Sequence, residues 1–163
     1  MAQAIHTVTV LVGSPALSSI LSMTLAAAPS LRVRPFESQI ALTTYLRLAP
    51  ADLVVADFDS VASPADRLAE DLRGDRSINS NLQIIALASA LTVEVKAASI
   101  HAGVDEIIMK PMSPKYLLER VLARLARRAA HEVSQRPSVR RMDWSGRGDN
   151  VVSLFRPAPE RVI

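Results

Sequence analysis

Short, nearly continuous apolar runs alternate along this chain with stretches in which apolar residues recur every three or four positions. Thr7 to Val12 is β-branched and apolar, as a strand buried on both faces would be. Ser14-Pro15 supplies an N-cap and a proline at the first helical position. Leu17, Ile20, Leu21, Thr24, Leu25 and Ala28 then repeat at helical spacing until Pro29-Ser30 ends the helix. Leu31 to Phe36 predicts a shorter, more polar strand whose Pro35 suits an edge. Ser38 to Leu48 predicts a second helix, stopped by Pro50. The rhythm continues with a strand at Leu53 to Ala56, a helix at Pro64 to Leu72, a strand at Leu82 to Leu87, a helix at Val93 to Ala102 and a strand at Glu106 to Met109. A last helix begins near Ser113-Pro114, with Leu118, Val121, Leu122, Leu125 and Ala129 as its buried stripe and Arg120, Arg124, Arg127 and Arg128 mainly outside it.

Five strands alternating with five helices predict an α/β domain over residues 6–130, a doubly wound parallel sheet with helices on both faces. The central strand then lies between the first and fourth, with the fifth outside the fourth. From about His131 the pattern stops. Residues 131–163 hold Pro137, Pro157, Pro159 and six arginines, so they are read as a C-terminal extension. Its apolar anchors Trp144, Leu154 and Phe155 imply that it docks back on the domain or recognises a partner.

Composition narrows the classes. With 163 residues, 49% hydrophobic and only 4% aromatic, the core must be built from Leu, Val, Ile and Ala. The absence of cysteine excludes disulfides and thiolate metal sites. No apolar run approaches the roughly 18 residues of a membrane span, and the start lacks the basic segment of a secretory signal, so a cytoplasmic protein is expected. The net charge of +3 is unevenly placed, with Lys115, Arg120, Arg124, Arg127 and Arg128 crowding one stretch. No helix-turn-helix pattern, zinc ligand set or aromatic row accompanies them, so a solvated surface or a protein contact is expected ahead of nucleic acid. Gly13-Ser14-Pro15 after the first strand is no glycine-rich dinucleotide loop, which argues against a dehydrogenase. His6, His101 and His131 share no motif spacing.

Chemistry gathers at two strand ends. Asp57 closes Leu53-Val54-Val55-Ala56-Asp57, and Lys110 follows Ile107-Ile108-Met109. In an open parallel sheet ligands meet the carboxyl ends of strands where the strand order reverses. A carboxylate there is able to accept a phosphoryl group, and a lysine to balance the charge as a mobile point cation. A plain ion pair, or two unrelated polar residues, is the competing reading.

Residues 6–130 resemble a response-regulator receiver domain of bacterial two-component signalling. The resemblance rests on Asp52-Leu53-Val54-Val55-Ala56-Asp57, on Leu82-Gln83-Ile84-Ile85-Ala86-Leu87-Ala88, on Ala102-Gly103-Val104-Asp105-Glu106 through Lys110-Pro111, and on the helix opening Ser113-Pro114-Lys115-Tyr116. It implies a flavodoxin-like sheet of order 2-1-3-4-5, with Asp57 as the phosphoacceptor equivalent, Lys110 touching the phosphoryl group, and Pro111 after a cis peptide bond. It also implies Mg²⁺, held by an acidic pair just after the first strand. Here that pair reads Gly13-Ser14. Asp59 is expected as a solvated loop residue that could lend a carboxylate. The switch position at the end of the fourth strand, usually Ser or Thr, is Ala88, with Ser89 one residue on and pointing elsewhere unless the loop adjusts, and the position of the switch aromatic holds Ile107.

These departures predict an atypical, stand-alone receiver that is not an enzyme. It would act as a signalling adaptor through protein contacts, with weak or absent Mg²⁺-dependent phosphorylation and no cofactor. Mg²⁺ enters only under the alternative in which Asp57 accepts a phosphoryl group; a further alternative is a nucleic-acid-binding regulator that uses the basic C-terminal region. Expected partners are a signalling protein such as a histidine kinase or phosphotransfer protein, or a second copy. The expected surface is the fourth helix, fifth strand and fifth helix, carrying Lys96, Asp105, Glu106, Lys115, Glu119, Arg120 and Arg124.

Overall fold

The computed structural model describes residues 4–135. Strands β1 (His6–Leu11), β2 (Leu31–Phe36), β3 (Leu53–Asp57), β4 (Gln83–Ala88) and β5 (Glu106–Met109) alternate with helices α1 (Pro15–Ala26), α2 (Gln39–Leu48), α3 (Ala65–Gly74), α4 (Val93–Ala102) and α5 (Pro114–Gln135). The strands form one parallel sheet in the order β2-β1-β3-β4-β5, the order expected. Strand pairing sets Val10 opposite Val55 and Asp57 opposite Leu87.

Because crossover helices cover both faces, the central strand has no solvent side, and every residue from Leu53 to Asp57 is buried. Alternation divides it between two cores. Val54 and Ala56 pack with Leu42, Leu46, Leu68 and Leu72 beneath α2 and α3. Leu53 and Val55 pack with Leu21, Leu25, Leu117, Val121 and Leu125 beneath α1 and α5. The Ser-Pro starts behave as read: the Ser14 hydroxyl accepts from Leu17 N at 3.3 Å, and the Ser113 hydroxyl from Tyr116 N at 3.1 Å. Pro35 sits on the edge strand, where its missing N–H breaks no interior ladder.

Two expectations about α5 are corrected. Its buried stripe is Leu117, Val121 and Leu125, while Leu122 is 38% exposed and Ala129 faces solvent. The helix also continues to Gln135, so residue 130 falls inside it. Trp144, Leu154, Phe155 and the tail arginines lie outside the described residues.

A clamp at the amino ends of β4 and β5 was not foreseen. From the last turn of α3, Arg73 Nη1 donates to the Leu82 carbonyl at 2.8 Å, Nη2 to the Gly103 carbonyl at 3.0 Å and Nη2 to Asp105 Oδ2 at 2.9 Å. Asp105 Oδ2 also accepts from Ile84 N at 2.8 Å. Gly103 ends α4 with φ +86°, and a Cβ there would lie 3.0 Å from Arg73 Cγ. Gly103→Ala therefore combines left-handed strain with displacement of the clamp. It is expected to lower stability by about 1–3 kcal/mol in urea unfolding; a change below about 0.5 kcal/mol would show that the clamp yields freely.

Candidate functional site

The carboxyl ends of β3, β4 and β5 bring together residues that the sequence spreads across more than fifty positions. Asp57 ends β3, buried to 6% exposure. Lys110 follows β5, and its backbone N–H donates to the Ala88 carbonyl at 2.8 Å, which fixes the start of its side chain beside the end of β4. The ammonium then reaches past β4 to Asp57 Oδ1 at 2.8 Å. Asp57 Oδ1 also accepts the backbone N–H of Asp59 at 3.0 Å. The Lys110-Pro111 bond is cis.

Two exposed loop residues make contacts that the sequence did not assign to them. Asp59, expected as a solvated loop residue, puts Oδ2 2.9 Å from Lys110 Nζ. Ser89, expected to point elsewhere, donates its hydroxyl to the same oxygen at 2.7 Å, and its backbone N–H donates there at 2.7 Å. β4 ends at Ala88, so strand alternation no longer governs the direction of Ser89. The Ser89 hydroxyl holds the Asp59 carboxyl below its usual range, against a partial opposing effect of burial and with further help from Lys110. Burial pulls the Lys110 ammonium down, but its bonds to Asp57 and then Asp59 outweigh this and hold it above the usual lysine value.

The remaining pocket residues stay apart from this network. Ser14 is spent on the cap of α1. Gly13 faces the Ser60 hydroxyl, 3.5 Å from where a Cβ would stand. Ala88 is fully buried and offers only its carbonyl to the site. Ile107 is partly buried on β5.

The expected partner surface divides. Arg120 Nε donates to Glu106 Oε1, Arg124 lies 3.5 Å from Asp105 and 3.7 Å from Glu106, and Arg73 shares Asp105. Arg128 Nη1 donates to Asp52 Oδ1 at 2.8 Å. Asp105, Glu106, Arg120, Arg124 and Arg128 therefore carry ion pairs within the domain. Lys96, Lys115 and Glu119 remain exposed. On the same elements Val93 at 79%, Ile100 at 77%, Met109 and Tyr116 are exposed apolar residues. Arg73, Asp52 and Arg128 had no motif to announce them, since their partners are distant in sequence.

A concavity of about 1080 Å³ between α2 and α3 is lined by Ile40, Thr43, Arg47, Glu70 and Asp75 and includes none of the strand-end residues. It is an open groove crossed by Gln39–Asp71 and Arg47–Asp75 contacts and brings no reactive groups together. The strand ends remain the candidate site on chemical grounds.

No family profile matches the sequence. No curated protein matches it either. Solved structures do. A response regulator from Thermotoga maritima covers 75% of this chain and 98% of its own, with 22% identity and a TM-score of 0.64. A CheY-like receiver domain protein from Methanospirillum hungatei covers 78% and 99%, with 18% identity and a TM-score of 0.70. The fold is the receiver fold. The chemotaxis response regulator CheY4 of Vibrio cholerae is similar too, at 17% identity and a TM-score of 0.67, over 74% of this chain.

The receiver resemblance implies Mg²⁺, and the residues present do not fit it. The ion asks for a near-octahedral oxygen shell with carboxylates among the ligands. The positions after β1 are Gly13, with no side chain, and Ser14, whose oxygen caps a helix. The carboxylates at hand, Asp57 and Asp59, already share one ammonium. Among the described residues, no helix is long and apolar enough to cross a membrane.

Proposed function

We propose that this chain is a cytoplasmic signalling adaptor of receiver fold that acts through protein contacts, without Mg²⁺-assisted phosphorylation and without turning over a substrate. The observation that carries the reading is Lys110, held between Asp57 and Asp59 at 2.8 and 2.9 Å opposite a Gly13-Ser14 pair that offers no carboxylate. Phosphoryl transfer depends on cations that neutralise charge on the moving group. Here the pocket has two carboxylates to one ammonium, and that ammonium is already engaged, so an incoming phosphoryl donor meets net negative charge.

The contact surface in this reading is α4, β5 and the first half of α5. Four of its charges are paired internally, and Val93, Ile100, Met109 and Tyr116 are exposed on the same elements as Lys96, Lys115 and Glu119. Exposed apolar and charged side chains on the same elements suit a protein partner. A histidine kinase, a phosphotransfer protein and a second copy of this chain are the partner classes in view.

Incubating the full chain with a small acyl phosphate and Mg²⁺, followed by intact mass, tests the reading. No gain of a phosphoryl mass is expected in a folded sample. A gain that disappears in Asp57→Ala would overturn it in favour of a working phosphoacceptor.

A further inference from the structure

Three donors from two different strand ends converge on a single oxygen. Lys110 Nζ lies 2.9 Å from Asp59 Oδ2, the Ser89 hydroxyl 2.7 Å and the Ser89 backbone N–H 2.7 Å. An ammonium, a hydroxyl and a backbone amide aimed at one point make a set of donors for an oxyanion, and charge-assisted bonds of this kind are the strong ones. We propose that Lys110 and Ser89 form an oxyanion site whose resident is the chain's own Asp59 carboxylate, and that this internal anion excludes phosphate-like ligands.

Placement supports the assignment. Asp59 lies in the loop after β3, and its backbone N–H is fixed on Asp57 Oδ1 at 3.0 Å, so its side chain starts beside the buried carboxylate and turns outward to the donors. The Asp59 side chain is 39% exposed, against 9% for Asp57, which puts the occupied site at the mouth of the pocket, where a ligand from solution would arrive. The donors sit on the β4–α4 and β5–α5 connections, so a permanent anion between them ties three loops together with no ligand bound. The class of ligand kept out is a tetrahedral oxyanion. Its charge is matched by Lys110, and its several oxygens could take the hydroxyl and amide bonds that Asp59 now takes with one.

The proposal rests on the reading of an unphosphorylated pocket, and its test avoids that question by omitting Mg²⁺ and removing the Asp57 carboxylate, which would repel a second anion. Full-length Asp57→Asn and Asp57→Asn/Asp59→Ala are titrated with inorganic phosphate and followed by the Ser89 amide resonance. Removing Asp59 is expected to tighten binding about tenfold or more, and adding Lys110→Ala to abolish the gain. Equal affinity with and without Asp59, or a gain that survives Lys110→Ala, overturns the proposal. Should the double variant not fold, Asp59→Ala alone decides: the Ser89 amide is expected to exchange about tenfold faster or more than in the native chain, and an unchanged rate overturns the proposal. Phosphorylation of the native chain by an acyl phosphate would sink the functional reading, while the phosphate titration reports on the oxyanion site alone.

Discussion

Replacing Lys110 with alanine is expected to cost about 2–3 kcal/mol of stability near pH 8, and less near pH 5. Removing one partner of a buried ion pair leaves the other charge uncompensated, typically a loss of about 3–5 kcal/mol. Here Lys110 is 20% exposed and Asp59 39%, so water recovers part of the loss, and the lower figure applies. The pH dependence carries the diagnosis. In the native chain Asp59 is held below its usual value, so its contribution is present above the unfolded carboxylate range and lost as pH falls through the depressed value. Lys110 is held above its usual value, so its contribution is present below the unfolded lysine range and lost as pH rises through the raised one. Between about pH 5 and 9 neither group changes state, and these two contributions stay flat. Without the lysine, Asp57 and Asp59 repel, one of them is pushed up in the folded state, and stability then falls as pH rises. Urea unfolding of both proteins at several pH values checks this. A deficit independent of pH would mean that Lys110 acts through packing rather than charge.

The second large effect lies at the other end of the sheet. Asp52→Ala is expected to cost about 2–3 kcal/mol, and Arg128→Ala clearly less. Asp52 Oδ2 accepts from Thr7 N at 2.8 Å, Oδ1 from Arg128 Nη1 at 2.8 Å, and His6 Nδ1 lies 3.7 Å away. Losing the carboxylate strands a backbone N–H at the start of β1 and leaves the Arg128 guanidinium, only 15% exposed, with Glu132 and the Asp52 carbonyl as its remaining partners. Losing Arg128 leaves Asp52 with its backbone donor. A double-mutant cycle by urea unfolding should show non-additivity, because the Arg128 bond is already absent in the first variant. Equal losses from the two single substitutions would assign the stabilisation to the ion pair alone and remove Asp52 from its role at β1.

How much of this was legible depends on how far each signal reaches along the chain. Leu53-Val54-Val55-Ala56 could be read as a buried strand because its own composition carries the requirement of a sheet covered on both faces. Ser14-Pro15 and Ser113-Pro114 mark helix starts through contacts made within three residues. Asp57 and Lys110 could be brought together because the strand order fixes which ends are neighbours. Asp59 and Ser89 could not, since both stand just past a strand, where alternation stops assigning direction and the loop backbone takes over. The stripe of α5 was misplaced for a related reason. A run as apolar as Leu117-Leu118 and Val121-Leu122 admits neighbouring faces, and only the facing Val55, Ile85 and Leu87 select Leu117 and Val121. The arginines of α5 looked like surface charge because a helical wheel shows which way a residue points and nothing of what lies opposite. Arg128 finds Asp52 from 76 positions away.

Those arginines also set what α5 can convey. At 1.5 Å per residue its 22 residues run about 33 Å, against roughly 17 Å for the five residues of β3. The helix starts beside Lys110 at one end of the sheet and passes Asp52 at the other, so Gln135 stands at the end of the domain opposite the pocket. Arg120, Arg124 and Arg128 pin the rod at successive turns to Glu106, Asp105 and Asp52. A rod fastened at three stations resists tilting about any one of them. What a partner at the far end would sense is therefore α5 moving as one piece with the sheet, with little of the loop-scale motion around the pocket carried along it.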